Sequence, residues 1–236
     1  MGDIDWVRVA TFVTAVVAGW LISGGLKAAD RLPCDIARKI NHVVALAGGA
    51  LWFGWLPEEQ ARASIYAVAA VVVGLVAVVC AFRNRVPFRW AFLANTRRSD
   101  APHEVFYFWS SWVISAGGLV GIHLVFGDIV VTRTAALLVG IGDGIAEPIG
   151  RRWGRHTYRV RSLAGAGAVR SLEGSAAVFA GCLTVLLACF GLTVLAPALV
   201  LALILTVVEA FSPHGLDNLT IPVVAACCLR PMLGIT

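Results

Sequence analysis

Long apolar runs separated by short, Arg-rich polar stretches recur from one end of the chain to the other. A helix needs about 20 predominantly apolar residues to cross a bilayer. On that spacing the sequence predicts helices near 6–26, 37–56, 63–82, 105–126, 132–150, 172–192, 194–211 and 218–234. The second is short in its apolar part, from Val43 to Leu56, and the last is interrupted by Pro222 and Arg230. Only Gly191 and the Leu195-Ala196-Pro197 step divide the sixth from the seventh. The expected fold is an all-α integral membrane bundle of about eight transmembrane helices, or seven if the last fails to span. It forms a single transmembrane domain over 1–236, with no soluble domain, low-complexity tract or internal repeat.

Composition sharpens this picture. The chain is 59% hydrophobic and only 14% charged, with a mean hydropathy of +0.83. A soluble domain carries roughly half apolar and about a quarter charged residues. Too little polar surface is available to keep such a chain in water, so lipid is its solvent. Six cysteines lie mostly in apolar stretches without a C-x-x-C spacing, which indicates neither a disulfide framework nor a zinc site. The first apolar run has no basic segment before it and reads as a retained helix rather than a cleaved signal.

Charge fixes orientation. Fifteen of the 19 basic residues fall in the stretches 27–41, 83–104 and 150–171. Short loops rich in Arg and Lys stay on the cytoplasmic side. The N-terminus is therefore expected outside, and with eight helices the C-terminus as well. The net charge of +5 belongs to these loops and does not indicate nucleic acid. A bacterial inner membrane is the expected location.

Acidic groups appear where lipid should be. Asp143 and Glu147 stand four residues apart in the fifth helix, on one face. Each costs about 2.5–3.5 kcal/mol to place in hydrocarbon, and as like charges they repel; a shared cation removes both penalties. Asp143-Gly144 would make a turn in a soluble loop, but within an apolar segment it reads as a locally opened helix admitting a ligand. Glu209 ends the seventh helix, while Asp217 and Asn218 open the eighth, where Asp217 suits an N-cap. With Glu173 these carboxylates fall at the cytoplasmic helix ends, where the basic loops meet them. Carboxylates holding a cation among Arg and Lys make an environment for phosphate chemistry. The Arg-rich stretch from Arg151 to Arg170 also suits topology and anionic lipid alone. Within it, 162–168 is glycine-rich but fits neither a P-loop nor a dinucleotide fingerprint, so it reads as a flexible cover. His42 follows Arg38-Lys39 by one helical turn, so the three share a face. Trp and Tyr gather at helix ends, as in an interfacial belt.

The segment Gly142-Asp143-Gly144-Ile145-Ala146-Glu147-Pro148-Ile149-Gly150-Arg151-Arg152-Trp153-Gly154 resembles the G-D-x-x-A-x-x-x-G-R-R-x-G signature of the polyprenol kinase family. That family includes dolichol, phytol and farnesol kinases and CTP-dependent diacylglycerol kinases. Arg170-Ser171-Leu172-Glu173-Gly174-Ser175 is similar to its K-S-x-E-G-S element. Glu209, Asp217-Asn218 and Pro222 resemble its closing E…D-N-x-x-x-P, and Arg38-Lys39-x-x-His42 its early R-K-x-x-H. The segment from Arg98 to Glu104 is similar to the stretch before the fourth helix of phytol kinases. The matches run in family order over most of the chain. Arg170 stands where the family usually has Lys, a fork in place of a compact ammonium. The connection from Arg152 to Arg170 is long for the family, and Val105 to Trp112 departs from the phytol kinase sequence.

The resemblance implies a CTP-dependent kinase acting on a membrane lipid alcohol. Asp143, Asp217 and Asn218, with Glu147, would hold Mg2+ on the triphosphate. Arg38, Lys39, Arg151, Arg152 and Arg170 would neutralise the phosphates, in company with Gly142, Gly144, Ser171, Glu173, Gly174 and Ser175. Glu209 would orient or deprotonate the alcohol with His42 behind it, so Asp143, Glu209, Asp217 and His42 form the expected catalytic set. Two rivals stand beside this. A CTP:phosphatidate cytidylyltransferase would release pyrophosphate and a CDP-lipid. An ion- or proton-coupled transporter would use Asp143 and Glu147 as a relay, but needs ionisable residues through the outer membrane half, where His123 is the main one.

Overall fold

Asp5 starts α1 (Trp6–Ala28) by accepting a hydrogen bond from the Arg8 backbone N–H. In a computed structural model, residues 3–97, 100–161, 168–213 and 216–234 are described. They divide into two compact units, 1–120 and 121–236.

In the first unit, α1 packs closely on α5 (Phe88–Asn95), a short helix inside the stretch read as a loop. Eight residues flanked by Arg are too few to signal a span. The crossing requires Gly24, where a Cβ would lie 1.8 Å from the Trp90 carbonyl oxygen. Lys27 Nζ donates to the carbonyls of Leu93 and Thr96, satisfying the end of α5. The second predicted helix is α2 (Cys34–Val43) and α3 (Gly49–Phe53), joined through a π-helical turn at Val44–Gly48. It begins and ends earlier than its apolar residues suggest, because the polar turn 35–42 is itself helical. Asn41 Nδ2 donates to Ser23 Oγ at 3.1 Å, tying α2 to α1. α4 (Glu58–Phe82) takes in the Glu58–Arg62 pair at its start. α6 (Glu104–Phe126) begins in this unit and contributes Phe108 and Trp112 to its core. There Trp20 meets Trp112 at 4.7 Å and Phe108 at 6.2 Å edge-on, and Phe12 meets Phe53 at 5.4 Å.

In the second unit Asp128 caps α7 (Ile129–Leu137) by accepting from the N–H groups of Val130 and Val131. α7 continues through a π-helical turn, Leu138–Asp143, into α8 (Gly144–Trp153). A two-stranded antiparallel hairpin follows, β1 (Thr157–Val160) and β2 (Ala168–Ser171), with Thr157 opposite Ser171 and Val160 opposite Ala168. The strands form the two ends of the Arg-rich stretch; the glycine-rich residues 162–167, read as a flexible cover, lie outside the described residues, as do Arg98 and Ser99. The chain then enters α9 (Leu172–Phe190), α10 (Leu195–Phe211) and α11 (Asp217–Met232). α9 packs against α8, the π turn and α10, and α11 packs against α10 and the π turn.

Helices occupy all eight predicted places, and six are long and apolar enough to cross a membrane among the described residues. The two others, 34–53 and 217–232, are those with a polar first half and with internal prolines. The chain is an all-α membrane bundle with one small hairpin.

Candidate functional site

Strand alternation places the central side chain. Along β2, Val169 is exposed while Ala168 and Arg170 are half-buried and Ser171 is buried. Arg170 thus points inward, opposite Tyr158 on β1. Its guanidinium lies 3.1 Å from Glu209 Oε1 at the end of α10 and 3.4 Å from Asp217 Oδ2 in the first turn of α11. The side chains of Arg170, Glu209 and Asp217 are 11%, 7% and 16% exposed. Two carboxylates and one guanidinium therefore share a site largely withdrawn from solvent. Such a group holds together because removing one partner of a buried pair costs about 3–5 kcal/mol.

The surroundings fix this geometry. Ser212 and Thr220 hydroxyls hydrogen-bond at 2.6 Å, joining the α10–α11 connection near both acids. Asn218 N–H donates to Asp217 Oδ1, while Asn218 Oδ1 is buried without a hydrogen-bond partner among the described residues. Asp217 is not the N-cap its position suggests. Leu216 holds that place, and the carboxylate turns to Arg170 instead.

The hairpin is anchored on both sides. Tyr158 Oη and Ser175 Oγ are 2.8 Å apart, and burial pushes the Tyr158 phenol above its ordinary pKa. Glu173 accepts from the His156 backbone N–H and lies 2.9 Å from His156 Nδ1. Leu172 N–H donates to the His156 carbonyl, and Ser171 Oγ caps α9 by accepting from Gly174 N–H.

Asp143 is buried at the end of the π turn. A π turn widens a helix and often marks a functional position, which matches the opened helix expected there. Gly142, however, faces Cys182, whose Sγ would lie 2.7 Å from an added Cβ. One turn on, Glu147 pairs with Arg151 at 3.2 Å, and Arg152 lies exposed over the Trp153 ring. Among the described residues no group of three or more Asp, Glu, His or Cys side chains stands close enough to hold a metal. Asp143, Glu147 and Asp217 thus form no three-carboxylate centre. Arg38, Lys39 and His42 belong to the first unit, where Lys39 and His42 are buried.

Sequence reasoning missed Tyr158, His156 and the hairpin. Two four-residue strands inside an Arg-rich stretch give little periodic signal. The Thr-Tyr-Arg-Val and Ala-Val-Arg-Ser alternation is the only trace of them.

No family model matches the chain, and no solved structure matches it. A protein of Synechocystis sp. named phytol kinase is 30% identical over 227 residues, covering 94% of this chain and 89% of that protein. The chain belongs to the polyprenol kinase family. In this polyprenol kinase family member the signature glycines are packing positions. A Cβ on Gly174 would lie 3.1 Å from the Ala146 carbonyl oxygen and 3.5 Å from Gly150 Cα. A Cβ on Gly154 would lie 2.1 Å from the Gly150 carbonyl oxygen and 2.7 Å from Ser171 Oγ. The two central family motifs are thus the two sides of one helix crossing, which delivers Arg170 to the acids.

Proposed function

We propose that the chain transfers the γ-phosphoryl group of CTP to the hydroxyl of a membrane lipid alcohol such as phytol, farnesol or a polyprenol, on the cytoplasmic face of a bacterial inner membrane. The observation that carries this reading is the relative named phytol kinase, aligned along nearly the whole chain. Its name favours phosphoryl transfer over cytidylyl transfer and ion-coupled transport. The Arg170–Glu209–Asp217 group supports it, since a guanidinium fork that fits carboxylates fits phosphate oxygens equally well.

In this reading the alcohol oxygen attacks the γ-phosphorus, the bond to the β–γ bridging oxygen breaks, and CDP and a lipid phosphate leave. Glu209 orients the hydroxyl and takes its proton. Arg170, Arg151 and Arg152 offset the charge on the phosphates. Asp217 and Asn218, with Asp143 and Glu147, would hold Mg2+, which would supply positive charge against that of the phosphates. The residues fit such an ion: Asn218 Oδ1 is a buried acceptor with no partner among the described residues. Magnesium ordinarily takes only one or two carboxylates and completes its shell from water and substrate phosphates. A three-carboxylate cluster is therefore unnecessary.

The test supplies purified protein with Mg2+, γ-labelled CTP or ATP, and a panel of phytol, farnesol, polyprenol and diacylglycerol. Label in a lipid phosphate establishes the kinase and names both substrates. Pyrophosphate released from CTP and phosphatidate would replace it with cytidylyl transfer. Asp143→Asn is expected to abolish turnover while leaving the thermal unfolding profile intact; near-normal turnover would remove Asp143 from the machinery.

A further inference from the structure

We infer that Arg170 is a positioning residue that keeps Asp217, across the guanidinium from the base Glu209, closed to divalent cations until a phosphate ligand draws that guanidinium away. That guanidinium touches both carboxylates, one with each of two nitrogens. A metal entering beside it would set a dication against a fixed cation in a poorly solvated space, where like charges repel strongly. Arg170 and a metal therefore compete for the same carboxylate oxygens.

A phosphate resolves the competition. The guanidinium binds phosphate and carboxylate with the same fork, so an arriving triphosphate offers Arg170 an equivalent partner and releases the acids. The exchange needs only side-chain rotation. The Arg170 backbone is fixed by pairing with Tyr158 and is followed directly by the Ser171 cap of α9. Asn218 Oδ1, on the residue that follows Asp217, is buried with no hydrogen-bond partner among the described residues. Metal and nucleotide thus bind in an enforced order, phosphate before metal, which denies the acids to free cytosolic cations.

The inference rests on the kinase reading only in assuming a phosphate-bearing ligand. Its test uses the full chain in nanodiscs without nucleotide, with Mn2+ binding followed by electron paramagnetic resonance. Arg170→Gln is expected to tighten Mn2+ binding over wild type by about ten-fold, within the range usual for coupled ligands. Adding Asp217→Asn to that variant should erase the gain. Arg170→Lys, which keeps the charge but loses the fork, should fall between the two, and it carries the test if the Gln variant does not fold. Equal or weaker Mn2+ binding in the folded variants would overturn the inference. In a preparation that phosphorylates lipid, that result removes the Arg170 barrier and leaves the kinase standing. Absence of lipid phosphate from every donor removes the kinase, while the Mn2+ comparison still decides whether Arg170 bars cations.

Discussion

Aromatic rings meet in the core of the first unit, whereas in the second glycines stand where helices approach closely. Trp20, Phe108, Trp112, Phe12 and Phe53 meet edge-on in the first core. In the second, Gly142, Gly150, Gly174 and Gly181 sit at close helix approaches, and Ala198, Ala202, Ala225 and Ala226 are also buried. Gly24 makes a comparable close approach to the Trp90 backbone in the first unit. Ring packing yields large apolar contact area that tolerates little loss. Small-residue packing in membranes brings helix backbones together and leaves room for polar side chains between them. The buried acids Asp143 and Glu209, and Arg170 that pairs with Glu209, lie in the unit built the second way.

The contrast can be broken by exchanging the two kinds of damage. Trp20→Ala removes the centre of the ring cluster and should cost about 3–5 kcal/mol, read as loss of thermal stability in detergent. Gly154→Ala should cost about 1–3 kcal/mol through overpacking and should lower turnover with it. Tyr158→Phe loses one hydrogen bond, worth about 1 kcal/mol. That loss should be visible at neutral pH. Since burial raises the phenol's pKa in the folded state, its contribution is fully present below the unfolded value of about 10. It disappears as pH rises through the higher folded value, so variant and wild type should converge in strong alkali. Gly74→Ala, where an added Cβ meets nothing within 4 Å, should change stability by less than about 1 kcal/mol. If Gly154→Ala proves as harmless as Gly74→Ala, the contrast between the units fails.

Much of this was legible in the sequence because bilayer thickness imposes its own ruler on apolar runs. The short α5 escaped that ruler, having too few residues to register as a span. The acids were legible as expensive groups in apolar surroundings, and Arg170, Glu209 and Asp217 do meet. What the sequence could not convey was direction. Asp217 at a helix start looks the same whether its carboxylate caps the helix or reaches a guanidinium 47 positions away. The motif glycines likewise look the same whether they approach a phosphate or another backbone. Gly150 and Gly174 are resolved only by seeing α8 against α9.

No residue separates β2 from α9: the strand ends at Ser171 and the helix begins at Leu172. Membrane helices tilt to match the thickness of the bilayer around them. With no slack between strand and helix, the place of Arg170 is tied to the direction of α9. Arg170 is thus held one residue from the first turn of a membrane-spanning helix.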